Sequence, residues 1–195
     1  MASLIAELTW LLTLTRSHLI ARRYFVVNGF DGALTMLGLL VGFYVSDEVK
    51  LPVVISACLG VAIALGMSGI SSAYISEAAE KRRELRELEK AMMTDLRQSA
   101  HGRAARFLPV VIALVNGIAP LAISLVILLP LWAAPLLKSQ ALPPLESAFV
   151  LALMIIFLLG VYLGRISHTF WLWAGLRTLL IAAATTAFIF ALSPE

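Results

Sequence analysis

Charge is scarce in this chain. Asp, Glu, Lys and Arg make up 14% of 195 residues, against 61% hydrophobic. The apolar segments are too many and too long for one globular core, which excludes a soluble domain. Cysteine is almost absent too. The single Cys58 cannot form a disulfide within one chain, and in its apolar run it reads as a small buried hydrophobe. His18, His101 and His168 are scattered near the ends of apolar segments and read as interfacial rather than as ligands. There is no Walker loop, no dinucleotide fingerprint, no HExxH and no nucleophile–His arrangement, so no enzyme and no permanently bound cofactor are expected. Short alternating strands are missing, which excludes a membrane β-barrel. The net charge of +3 is explained by topology, and no nucleic-acid partner is expected.

What is present is a series of apolar stretches, each long enough to cross a bilayer as a helix. The expected fold is an all-α polytopic membrane protein with five transmembrane helices, at about 24–45, 51–75, 108–131, 147–163 and 171–192, in a membrane domain covering 22–195. Residues 1–21 carry Leu4, Leu8, Leu11 and Leu12 on one helical stripe. With no preceding positive residue and no cleavage site, they read as an interfacial amphipathic helix and not a signal peptide. The second span flows without a turn signal into strong helix formers from Glu77 to Lys90, so one helix is expected to leave the membrane, with Gly102 breaking it inside an extramembrane helical segment 76–106. The third span is expected to bend near Asn116, Gly117 and Pro120. Thirteen of the fifteen Lys and Arg fall on one side of this arrangement, Lys50 and Lys138 on the other. That bias puts the N-terminus and the charged loop in the cytoplasm and the C-terminus outside.

One acid breaks the pattern. Asp31 lies inside the first apolar run with no basic residue closer than Arg23. A carboxylate there costs about 3 kcal/mol to insert, so it is a functional-site candidate by default. The bland alternative is an Asp31 near the surface, capping a helix or meeting water. Asn28, Gly29, Gly32 and Thr35 surround it; glycines admit a close backbone and the polar side chains extend a site. On the second span Met67 stands in Gly66-Met67-Ser68-Gly69. A thioether there is packing, unless it faces Asp31, when soft sulfur and hard oxygen together suit a borderline divalent ion. Beyond it, Glu77, Glu80, Glu84 and Glu87 fall within an arc of about 80°. Clustered carboxylates invite a divalent cation; the alternative is a solvated helix laced with i,i+4 pairs.

Arg23 to Gly42, with Asn28-Gly29-Phe30-Asp31-Gly32 and Thr35, resembles the first helix of the vacuolar iron transporter family. The second helix, with Gly66-Met67-Ser68-Gly69 and the run Ser76 to Glu80, resembles that family as well, and Gly117, Pro120 and Gly175-Leu176-Arg177 are similar to its later helices. The resemblance implies a homodimer with a pore between the two first helices, and export of cytosolic Fe²⁺, in some members Mn²⁺, by exchange for protons. It implies Asp31 and Met67 as pore ligands, Asn28 and Thr35 along the ion pathway, and Glu77, Glu80, Glu84 and Glu87 as metal-gathering acids. Membrane lipid, protons and the metal are the implied partners, and the cell membrane, or a vacuolar-type membrane, the location. The chain departs from the family at Ala57-Cys58-Leu59-Gly60, where members carry a pore Glu, and in its short loop between the second and third spans. The rival expectation from the residues is a non-transporting, metal-responsive scaffold that binds a partner through Glu77 to Leu96.

Overall fold

A computed structural model describes residues 17–46, 50–134 and 142–192. The expected interfacial helix therefore lies mostly outside the described residues, as do Asp47, Glu48 and Lys138. The described residues form α1 (Ser17–Val45), α2 (Leu51–Met92), α3 (Ala100–Ala133), α4 (Pro144–Ile166) and α5 (Trp171–Leu192). All five are long and apolar enough to cross a membrane. The chain is a helical integral membrane protein.

Length separates the helices. At 1.5 Å per residue α4, with 23 residues, spans about 34 Å, close to the thickness of a hydrocarbon core. α2, with 42 residues, spans about 63 Å and has to project well beyond one. The described residues fall into two compact units: those up to Phe25 with Gly66–Ile118, and Val26–Leu65 with those from Ala119 onward.

The second of these holds the apolar core. Met36, Leu37 and Leu40 of α1, Cys58 and Ala62 of α2, Ile127, Leu128 and Leu131 of α3, Ala152 and Ile156 of α4 and Ala182 of α5 are all buried in it. Close approach requires small side chains: a Cβ on Gly32 would stand 2.8 Å from both Cα and O of Pro120. On α5, Thr178 Oγ1 donates to Gly175 O at 2.8 Å, with Ile156 O of α4 at 3.2 Å, so its hydroxyl is satisfied where it is buried. α3 runs unbroken as a helix through Asn116, Gly117 and Pro120. Proline removes one helical hydrogen bond, and Gly32 of α1 packs closely against Pro120 at that turn.

The other unit is a helical hairpin of α2 and α3 together with the first turns of α1. Its turn comes earlier than expected: α2 ends at Met92, Met93 takes a left-handed φ of 50°, and α3 begins just after Ser99. Thr94 N–H donates to Glu89 O at 3.3 Å, closing the end of α2. The Ser99 hydroxyl accepts from Gly102 N–H at 3.3 Å and donates to Leu96 O at 2.6 Å. That is a side-chain cap on α3, so Gly102 sits inside the helix rather than breaking it. A Cβ at Gly102 would collide with Arg97 O, and this close approach is what the glycine permits. Composition alone pointed to Gly102; the cap and the left-handed residue set the turn.

Candidate ion pathway and acidic helix face

The buried side of α1 is the stripe Gly29, Ala33, Met36, Leu37 and Leu40. By helical geometry that stripe centres about 180° from Asp31. Asp31 is accordingly exposed, on the outward side of its own helix, midway along an apolar span. Val27, Thr35, Gly38 and Gly42 share its face within about 40°. Nothing lies within 4 Å of the position of a Cβ at Gly42, so the far end of this stripe is open. Thr35 Oγ1 donates to the Asp31 backbone carbonyl at 2.7 Å, a back-bond that spends the hydroxyl proton and leaves its oxygen lone pairs on the Asp31 face. Asn28 is half-buried beside it.

Met67 lies in the other unit. It is 58% exposed, off the side of α2 that carries Gly66 and Ala73 into the packing. Ser71 Oγ donates to Met67 O at 2.8 Å. The packed side is where Asn116 Nδ2 donates to Gly69 O at 2.9 Å and where Gly117 lies against Gly66 O and Ile70. Asn116 and Gly117, expected to mark a bend, also form a helix-to-helix contact. An amide that bridges two helices has no signature in a single segment.

The four glutamates share an arc, but three of them have partners. Glu77 Oε1 accepts from the Tyr24 hydroxyl at 3.1 Å. Glu84 pairs with Lys81 at 2.7 Å and Glu87 with Arg83 at 2.9 Å. Glu80 makes no hydrogen bond or ion pair among the described residues, though its charge acts on Arg83 together with that of Glu87. Asp95 lies in the turn and accepts from Arg97 N–H at 2.9 Å. Among the described residues no three His, Cys, Asp or Glu side chains converge as a metal site. Within one chain the acidic face is thus a line of carboxylates along a helix, with Lys81 and Arg83 bound to it.

The chain is similar to uncharacterized protein MJ0645 of Methanocaldococcus jannaschii, with 30% identity over 171 residues, 86% of each chain. It belongs to the same family as that protein. No family model and no solved structure matches it. The likeness to the MJ0645 protein covers most of the chain.

A second feature of the hairpin has no signature in the sequence. Arg82, Arg97 and Arg106 line one groove of about 290 Å³. In sequence they lie far apart among other basic residues, and counting them only for membrane orientation hides that α2, the turn and α3 bring them to one place.

Proposed function

We propose that this protein is a divalent-metal exporter of the vacuolar iron transporter type, carrying cytosolic Fe²⁺, and Mn²⁺ as a second substrate, outward in exchange for protons. The observation that supports the reading is Asp31. A carboxylate on the outward face of a spanning helix costs about 3 kcal/mol against lipid, unless water, a cation or a second protein surface meets it. A two-fold dimer that brings the open faces of two α1 helices together supplies all three. The glycines Gly38 and Gly42 on that face suit close approach. Two facing aspartates repel, so one holds a proton until a cation arrives, and metal entry releases it. Asn28 and Thr35 lie beside Asp31 on α1 and extend that pathway, and the family resemblance adds Met67 as a soft ligand. The N-terminus and the hairpin face the cytoplasm by the positive-inside rule, so the Glu77, Glu80, Glu84 and Glu87 face meets cytosolic metal first.

The test is metal flux into proteoliposomes. Asp31→Asn keeps size and one hydrogen-bonding oxygen while removing the charge and the titratable proton. It is expected to cut flux by at least about tenfold with insertion and dimerisation unchanged. Flux at the wild-type rate would show that Asp31 is a structural polar residue.

The second reading is a non-transporting, metal-responsive scaffold that uses the hairpin to bind a partner. It is favoured by the ion pairs that occupy Glu84 and Glu87. A scaffold gives no metal flux in the same vesicles.

A further inference from the structure

The groove on the hairpin has an unusual charge balance. Arg82 comes from α2, Arg97 from the turn and Arg106 from α3, and no carboxylate lines it. All three arginines are exposed, and none of them is in an ion pair among the described residues. The nearest acids make backbone hydrogen bonds and no ion pair with these arginines: Glu89 accepts from Leu96 N–H at 3.1 Å and Asp95 from Arg97 N–H at 2.9 Å. The glutamates of the acidic face lie about 140–220° around α2 from Arg82, on its far side. Arg106 Nη2 donates to Arg97 O at 3.3 Å, which ties α3 to the turn and holds one guanidinium at the groove.

The groove is also two-sided. Tyr74, Ala105 and Pro109 give it an apolar wall with one phenol; Tyr74 is in the last turn of the apolar part of α2, and Ala105 and Pro109 are where the apolar part of α3 begins. The guanidiniums stand just beyond, where the sequence turns charged. A converging set of guanidiniums selects phosphate over neutral groups, because each planar fork matches two phosphate oxygens. An apolar wall beneath them suits a ligand with a hydrocarbon part.

We propose that this groove is a phosphate-binding site at the membrane boundary, taking the phosphate of an anionic ligand through Arg82, Arg97 and Arg106. The phosphate is that of an anionic phospholipid headgroup or of a soluble phosphate compound. The site does not depend on metal transport, so its failure and that of the exporter reading are separate results.

The full chain, purified in mild detergent, is titrated in separate arms with phosphatidylglycerol, phosphatidylcholine and inorganic phosphate, and bound ligand is followed by native mass spectrometry and thermal shift. Phosphatidylglycerol is expected to bind more tightly than phosphatidylcholine, with affinity falling about fivefold per guanidinium removed. Binding of phosphatidylglycerol without inorganic phosphate assigns the site to lipid; binding of inorganic phosphate that competes with it assigns the site to a soluble phosphate. The triple variant Arg82→Gln, Arg97→Gln, Arg106→Gln should lose the preference. Arg82→Gln alone should weaken binding while preserving the Arg106 to Arg97 contact, and it carries the test if the triple variant does not fold. Arg83→Gln, which removes a cation paired to Glu87, should leave affinity within about twofold. Equal binding of the two lipids with no binding of phosphate, or unchanged binding by Arg82→Gln, would overturn the assignment.

Discussion

Asp31 and Met67 are both exposed side chains on apolar parts of long helices, and they differ in what exposure costs. A thioether faces lipid at no penalty, whereas a carboxylate does not. Met67→Leu deletes a soft ligand but keeps the volume, so its flux in the vesicle assay should fall by only a few-fold, well short of the Asp31→Asn loss. An equal or larger loss would mean that sulfur ligation matters more to transport than the carboxylate does. Ser124 poses the opposite case. It is fully buried on α3, and its hydroxyl has no hydrogen-bond partner among the described residues. An unsatisfied buried hydroxyl costs about 1–3 kcal/mol, so Ser124→Ala should hold or raise the thermal midpoint in detergent. A lowered midpoint would reveal a partner for that hydroxyl.

Among the elements, α2 carries the most separate tasks. Its first half packs into the apolar core through Val54, Cys58 and Ala62, and its second half forms the hairpin with the acidic line on one side and the arginine groove on another. The Lys81–Glu84 and Arg83–Glu87 pairs stand in solvent, which screens them, so they contribute little to stability. Replacing Glu77, Glu80, Glu84 and Glu87 together by Gln should therefore cost little helicity by circular dichroism. Under the exporter reading it should weaken Fe²⁺ or Mn²⁺ binding, measured by calorimetry, by about tenfold or more. Unchanged binding would return the four to an ordinary solvated face. Where α2 ends was not readable from its composition, because helix formers continue past Lys90 and Gly102 looks like the stop. The turn depends on Met93 tolerating a positive φ and on Ser99 capping the next helix, both of which are local geometry.

For the whole molecule, the dimer reading turns on what covers the Asp31 face. If two copies meet there, single cysteines at Thr35, Gly38 or Gly42, in a chain whose Cys58 is replaced by Ala, should cross-link between protomers with a helical periodicity of about three to four residues. Cysteines on the buried side, at Met36 or Leu40, should not. Absence of cross-links, together with a monomer mass in mild detergent, would remove the dimer pore.

The apolar spans, the long second helix and the isolated acid in the first were legible because they are one-dimensional: hydrocarbon thickness selects run length, and a charge inside a run stands out without any knowledge of its neighbours. Periodicity also put Glu77, Glu80, Glu84 and Glu87 on one arc, since an α-helix returns residues at fixed angles. What those residues do to one another was decided only in three dimensions. Tyr24 reaches Glu77, and Asn116 bridges to Gly69. Arg82, Arg97 and Arg106 meet across a turn whose position depends on a cap. Contacts of this kind depend on which faces of separate helices meet, and short-range sequence pattern does not encode them.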